Sequence, residues 1–145
     1  MKNEKGFTLI ELLAVIVILG VLMLVAIPAV TRYIEQSKKK AVLSTVNSLV
    51  DTVRYGVVSG EGEYSMGASG IKVFDFRNIE TEKGKIKDID GYVKVEKLSG
   101  GNGYSYKVYL DGSSDSGKNY CMAESDISQL TSDNMSKCDA GGYTA

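Results

Sequence analysis

A long apolar segment lies near the start of the sequence. Residues 7–30 are hydrophobic at all but four positions, which are Thr8, Glu11, Gly20 and Pro28. A helix needs roughly 20 apolar residues to cross the hydrocarbon core of a bilayer, and this run is longer. It also exceeds the roughly 7–15 apolar residues of a cleaved secretory signal. The pattern therefore predicts a membrane-spanning helix.

Beyond this run, hydrophobic residues recur at intervals typical of one helix face. The stripe consists of Val30, Ile34, Ala41, Thr45, Leu49, Val53 and Val57. Steps of three and four residues indicate an amphipathic helix over residues 31–57, whose apolar face must be covered by another element. The triplet Lys38, Lys39 and Lys40 is interpreted as a solvated helix face, and a contact with lipid headgroups or DNA is the alternative.

The C-terminal part shows the two-residue alternation of β-strands. Val93 and Val95 alternate with charged residues, and a second alternating run extends from Tyr104 to Leu110. Between these runs, residues 100–103 read Gly-Gly-Asn-Gly, which is typical of a hairpin turn. A third strand is predicted over residues 119–123 and a further one over residues 72–76.

Together these elements predict the fold class α+β. One long N-terminal helix, with a transmembrane first half and an amphipathic second half, would pack on a C-terminal antiparallel sheet of about three to four strands. We expect the sheet to belong to a globular domain over residues 58–145. Residues 58–90 are expected to form the connecting loop between the helix and the sheet.

Composition argues against several classes of function. The 17 basic and 18 acidic residues give a net charge of −1, so no overall positive field attracts nucleic acid as a partner. The chain has no histidine, phosphate-binding loop or nucleophile-elbow motif, so we expect neither an enzyme nor a cofactor or metal site. Asp111 and Asp115 bound a segment with weak similarity to a Ca²⁺ loop, but the EF-hand spacing is missing, which favours a simple turn.

The two cysteines, Cys121 and Cys138, both lie in the polar C-terminal part. This placement suits an exported, oxidising location in which one disulfide closes a loop. The alternative is a pair of free thiols in a cytosolic chain. A disulfide across a loop of this length would contribute up to about 3 kcal/mol through chain entropy, which favours the first interpretation.

Glu11 places a carboxylate inside the apolar segment. An acidic group in a bilayer costs on the order of 2.5–3.5 kcal/mol on insertion scales and is usually retained for a partner. Residues 7–30 contain no Lys, Arg or His to provide one. Cleavage after Gly6 would create a new ammonium group on Phe7, about one helical turn from Glu11. That amine can pair with Glu11 of its own chain or of a neighbouring chain shifted along the helix axis.

Residues 5–11, Lys-Gly-Phe-Thr-Leu-Ile-Glu, resemble the class III signal of type IV pilins and pseudopilins. The short charged leader, residues 1–6, is similar to that of type IVa prepilins. In this family a membrane peptidase cuts after the glycine and methylates the new N-terminal phenylalanine. The resemblance therefore implies cleavage between Gly6 and Phe7 and N-methylation of Phe7.

The resemblance further implies a structural subunit of a type IV pilus. The chain would be held in the cell membrane as a single-pass prepilin and would then polymerise into an extracellular homo-oligomeric filament. Glu11 and Phe7 would dock subunits, and Gly20 and Pro28 would let the helix lengthen in the filament. The implied partners are the prepilin peptidase and methyltransferase, an assembly platform protein and a separate ATPase.

Two alternatives remain open. Within the family, the chain is a pseudopilin of a type II secretion or competence system. Outside it, the chain is a membrane-anchored binding module. Lysine and arginine counts favour a cytoplasmic location for the segment after the apolar run, whereas the resemblance places the leader in the cytoplasm, and we follow the resemblance. Pilins also often close a C-terminal loop with a disulfide, a role that Cys121 and Cys138 fit.

Overall fold

The structure is a computed structural model that describes residues 6–60, 62–81, 84–86, 89–112 and 120–138. Residues 1–5 of the predicted leader lie outside these ranges, as do Asp115 of the predicted turn and Asn119 of the predicted third strand. The chain divides into two compact units, Met1–Ser37 and Lys38–Ala145.

One helix, α1, extends over Leu9–Ser59 and contributes to both units. In the first unit, every helical residue through Ile34 is exposed. In the second unit one face is buried, and its buried residues are Val42, Val46, Leu49, Val50, Val53 and Val57. Burial therefore changes along a single helix, from an exposed apolar segment to an amphipathic one.

In the described part of the chain, seven strands follow the helix. They are β1 (Ile71–Asp75), β2 (Glu80–Thr81), β3 (Gly84–Lys85), β4 (Asp90–Lys97), β5 (Tyr104–Asp111), β6 (Tyr120–Asp126) and β7 (Ser136–Lys137). Five of them form an antiparallel sheet in the order β1-β4-β5-β6-β7, and β2 pairs with β3. Short 3₁₀ turns lie at Gly62–Tyr64, Phe76–Asn78 and Ile127–Gln129.

The inner face of the sheet follows the two-residue alternation of β4 and β5. Val93 pairs with Val108 and Val95 pairs with Tyr106, and all four side chains are buried. They join the buried residues of α1 in one hydrophobic cluster. The predicted α+β class, with a long helix on a C-terminal antiparallel sheet, is confirmed. The main sheet has five strands because the short β7 adds to the predicted set.

The predicted stripe on the helix is wrong over its first four positions, of which Val30 and Ile34 are exposed. Ala41 is exposed and Thr45 is half-buried, whereas Val42 and Val46 are buried. The predicted positions from Ala41 onward advance by four residues each, and at about 100° per residue every such step rotates the stripe by about 40° around the helix. The buried positions mix steps of three and four, so they stay on one face.

The predicted loop over residues 58–90 is wrong in part. Residues 71–75 form the edge strand β1, close to the predicted strand at 72–76, and pair with β4. β2 and β3 form a small hairpin that is absent from the predicted elements. Each of these two strands has only two residues, which is too short to produce a recognisable alternation.

Candidate functional site

The residues predicted for cleavage and docking lie at the start of α1. Gly6 and Phe7 precede the helix, whose first residue is Leu9. Phe7 is 93% exposed, and no described atom lies within 4 Å of the position that a Cβ on Gly6 would occupy. The Gly6–Phe7 peptide bond therefore lies in an exposed, non-helical segment, which is where proteolysis occurs most readily.

Thr8 and Glu11 form a reciprocal cap at the helix start. The Thr8 backbone N–H donates to Glu11 Oε2 at 2.8 Å, and the Thr8 hydroxyl donates to the same oxygen at 2.9 Å. In return, the Glu11 backbone N–H donates to Thr8 Oγ1 at 3.3 Å. This arrangement is a capping box, which satisfies two backbone N–H groups that a helix start leaves without partners.

The cap gives Glu11 a role within its own helix, beside the pairing with an amine, which stays a prediction. The sequence predicts the amine of a new N-terminus as the partner of this carboxylate. In the structure the carboxylate accepts two hydrogen bonds from Thr8. The signal for this role is the Thr-x-x-Glu spacing before an apolar run, which is not among the predicted features. In the described ranges the Glu11 carboxylate accepts these two hydrogen bonds and forms no ion pair with a cation.

Directly after this cap, α1 presents a continuous apolar surface. The large hydrophobic residues from Leu9 to Ile34 are 47–86% exposed. By length and composition the helix is apolar enough to cross a membrane. An exposed apolar patch of this size marks a surface for lipid or for other protein.

Gly20 and Pro28 both lie inside the continuous helix. Pro28 has no backbone N–H to donate, and nearby the Thr31 hydroxyl donates to the Ile27 carbonyl oxygen at 2.6 Å. A Cβ built on Gly20 would meet no described atom within 4 Å. The lengthening predicted for this stretch concerns the filament and stays a prediction.

A second feature is the disulfide Cys121–Cys138, which confirms the prediction from the two cysteines. It joins the beginning of β6 to the residue after β7. Cys121 is buried, and the Gly112 backbone N–H donates to its sulfur at 3.4 Å. A Cβ on Gly112 would lie 2.6 Å from the Tyr120 nitrogen and 2.7 Å from Cys138 Sγ, so this position has no room for a side chain.

Lys39 connects the helix to the segment that the disulfide encloses. Its Nζ donates to the Met135 carbonyl oxygen at 2.9 Å and lies 5.8 Å from the centroid of the Tyr120 ring. Its neighbours Lys38 and Lys40 are exposed. The interpretation of all three lysines as a solvated face is therefore wrong for Lys39, because its position on the helix faces the C-terminal segment.

The outer face of the sheet carries a network of charged and aromatic side chains. Lys94 Nζ lies 3.0 Å from Glu96 Oε1 and 3.5 Å from Glu124 Oε1, and Lys107 Nζ lies 3.6 Å from Glu96 Oε2. The hydrogen bond from Lys94 lowers the pKa of Glu96. The Tyr92 hydroxyl donates to Glu124 Oε2 at 2.7 Å, and this hydrogen bond together with burial raises the pKa of Tyr92. In the described ranges no group of three or more acidic or cysteine side chains is placed to hold a metal ion.

Comparison with known proteins identifies a methylation motif and several fimbrial proteins. A family model for the prokaryotic N-terminal methylation motif matches residues 1–27. A fimbrial protein of Dichelobacter nodosus is 35% identical over 109 residues, which cover 74% of this chain and 66% of the relative. A type IV major fimbrial protein FimA of the same organism is 36% identical over 74 residues, covering 50% and 47% of the two chains. No solved structure matches.

One further relative is not named as a fimbrial protein. The ComG operon protein 3 homolog of Bacillus licheniformis is 44% identical over 45 residues, which cover 31% of this chain and 46% of the relative. The chain thus spans 66%, 47% and 46% of the lengths of these three relatives. The methylation motif, the fimbrial relatives and a long apolar helix packed on an antiparallel sheet together show that the chain belongs to the type IV pilin family.

Proposed function

We propose that this chain is a non-catalytic structural subunit that polymerises into a type IV pilus filament. The observation that carries the proposal is the exposed apolar surface of α1, which begins at the Thr8–Glu11 cap and continues to Ile34. The described part of the chain provides no cover for this surface. A bilayer covers it before assembly, and the same helix of other copies covers it in the filament.

Processing at the start of the helix precedes assembly in this proposal. The prepilin peptidase removes residues 1–6 from the cytoplasmic side of the cell membrane and methylates Phe7. The exposure of Gly6 and Phe7 ahead of the first helical turn suits both reactions. An assembly platform protein and an ATPase then transfer the subunit from the membrane to the extracellular filament.

Glu11 selects the axial position of each subunit. Its carboxylate pairs with the new Phe7 amine of a neighbouring chain, in surroundings where an unpaired charge is heavily penalised. The pair therefore selects one register between helices more than it adds net stability. Gly20 and Pro28 allow the helix to lengthen between them when copies pack together.

Filament yield from two variants tests the docking role. We expect Glu11→Leu to be processed normally but to give few or no filaments, because the Phe7 amine loses its partner. Thr8→Val is the matched control, since it removes the hydroxyl of the cap and keeps the carboxylate, and we expect it to retain filaments. If both variants lose filaments to the same degree, Glu11 acts through the helix cap and the docking role is wrong.

The mature N-terminus tests the processing step. Mass spectrometry of the native protein should find a methylated Phe7 as its first residue. A chain that retains Met1 would contradict cleavage and would favour a membrane-anchored binding module.

A second candidate is a pseudopilin of a competence or type II secretion system, and the ComG operon protein 3 homolog favours it. That match lies in 45 residues, whereas the fimbrial protein matches 109. Electron microscopy with a subunit-specific label separates the two candidates. Long labelled fibres on the cell surface support a pilus, and label confined to short fibres within the envelope supports a pseudopilin.

A further inference from the structure

The loop between β4 and β5 contains the dipeptide Asn102-Gly103. The side-chain carbonyl carbon of an asparagine can be attacked by the backbone nitrogen of the next residue. Glycine hinders this attack least, because it has no Cβ and restricts the backbone least. We propose that Asn102 is a site of spontaneous deamidation in the folded protein, a modification that the assembly of the chain does not require.

The geometry of the turn leaves the reacting atoms free. A hydrogen bond of 2.9 Å from the Leu98 backbone N–H to the Gly103 carbonyl oxygen closes the hairpin. Asn102 is exposed, and across the described ranges neither its side-chain amide nor the Gly103 backbone N–H has a hydrogen-bond partner. Gly100 has a φ of 96°, a conformation that glycine adopts without strain, so the turn backbone has few steric restraints.

The reaction needs only water. The Gly103 nitrogen gives up its proton to the solvent and forms a bond to Asn102 Cγ, and the side-chain nitrogen leaves as ammonia. The product is a five-membered cyclic imide. Water then opens one of the two ring C–N bonds, which yields either aspartate or isoaspartate with an additional main-chain carbon. Both products replace a neutral amide by a carboxylate on the hairpin.

Two other dipeptides of the chain can form the same imide, but their glycines are held by packing or hydrogen bonding. Asp90 precedes Gly91, and a Cβ on Gly91 would collide with the Tyr109 carbonyl oxygen, so the backbone there is tightly enclosed. Asp111 precedes Gly112, whose backbone N–H already donates to a cysteine sulfur. Ring closure at either position requires the sheet to open locally.

The other described asparagines serve as internal controls. Asn47 lies in α1, and Asn78 lies in a 3₁₀ turn and precedes the buried Ile79. Asn134 precedes the buried Met135, and its amide donates to the Gln129 carbonyl oxygen at 2.7 Å. Each of the three is followed by a residue with a side chain, which hinders the attack.

Peptide mass spectrometry of the full-length protein tests the proposal. Cleavage after Lys97 and Lys107 releases a peptide in which Asn102 is the only asparagine. After incubation in the folded state, we expect the deamidated fraction at Asn102 to exceed that at Asn47, Asn78 and Asn134 by at least about tenfold, a barrier difference of roughly 1.4 kcal/mol. Isoaspartate should be present at Asn102, and its rate of formation should rise with pH because the attacking nitrogen must lose a proton.

Gly103→Ala is the variant that isolates the mechanism. It keeps Asn102, and its Cβ would lie 3.1 Å from Cδ1 of Leu98, the flexible end of an exposed side chain, so the hairpin is retained. We expect deamidation at Asn102 to slow by at least about tenfold, while the three control asparagines keep their rates. Equal rates at all four asparagines, an unchanged rate in Gly103→Ala, or modification seen only after denaturation would each overturn the proposal.

Discussion

At the scale of single residues, the disulfide restricts the size of the side chain at a position outside its own loop. Gly112 follows β5, and the two cysteines lie on β6 and after β7. Because the Gly112 backbone passes within contact distance of Tyr120 and Cys138, even a methyl group there would displace the neighbouring backbone or the sulfur. The sequence shows this glycine but not the atoms that surround it.

We expect Gly112→Ala to lower the free energy of unfolding by about 1–3 kcal/mol, as overpacking in a close-packed interior does. Gly101→Ala is the control, because its Cβ would meet only the Gly103 nitrogen, at 4.0 Å. Denaturant unfolding in detergent measures both. Equal stability of the two variants would show that the disulfide region rearranges without cost.

Tyr92 provides a pH dependence at the same scale. Its pKa is raised by the hydrogen bond that it donates to Glu124. A raised pKa in the folded state means that the contribution to stability is complete below the ordinary value of about 10 and is lost as the pH rises through the folded value. We expect Glu124→Gln to lower the pKa of Tyr92, because it replaces the charged acceptor of this hydrogen bond by a neutral amide.

The measurement is the phenolate absorbance during an alkaline titration. Subtracting the titration of Tyr92→Phe from that of the unsubstituted protein isolates Tyr92 among the nine tyrosines. An unchanged midpoint in the Glu124→Gln chain would rule out Glu124 as the cause.

At the scale of elements, sequence predicts the long periodic features and misses the short ones. The alternation around Val93 and along β5 is regular over many residues, so the central hairpin is predicted correctly. β2, β3 and β7 have two residues each and carry no periodicity. The helix is predicted correctly, but its buried face near Ala41 is not. Aliphatic residues occur on several faces of this part of the helix, so the sequence alone does not show which face packs against the sheet.

The helix start and the lysine triplet show why some contacts can be predicted from the sequence and others cannot. The Thr8–Glu11 cap has a local signal in the sequence, so it can be predicted when the capping pattern is sought. The inward position of Lys39 has no local signal, because its acceptor is the carbonyl of Met135, 96 residues further along the chain. Contacts of this kind follow only from the tertiary fold.

Lys39→Met tests how strongly the helix holds the C-terminal segment. The variant keeps most of the aliphatic side chain but leaves the Met135 carbonyl oxygen without this donor, so we expect a loss of about 1–2 kcal/mol in unfolding free energy. Lys40→Met is the matched control, since Lys40 is exposed on the same helix. Thermal unfolding of both in detergent measures the effect, and equal transition temperatures would contradict the role of Lys39.

At the scale of the whole molecule, different forces act on the two units. In its described residues the first unit is mainly an apolar helix whose large hydrophobic side chains are exposed. The second unit has its own core and a covalent link between residues 17 positions apart. Stability of the second unit therefore depends on redox conditions, whereas the first unit contains no cysteine to sense them.

Reduction of the disulfide should lower the free energy of unfolding of the second unit by about 3 kcal/mol, the contribution expected from closing a loop of this length. Comparing unfolding with and without a reductant avoids the cavity that a cysteine substitution would leave. Hydrogen exchange should show the largest loss of protection in β6 and β7. No change in stability upon complete reduction would mean that packing and Lys39 hold the segment without the bond.

The position of the core along α1 has a practical consequence. No buried hydrophobic residue of the described chain precedes Val42. A shortened gene that encodes residues 31–145 would therefore keep every buried hydrophobic residue of the described chain and omit most of the exposed apolar segment. We expect its product to be a water-soluble monomer, whose crystals, spectra and melting curves can be obtained without lipid.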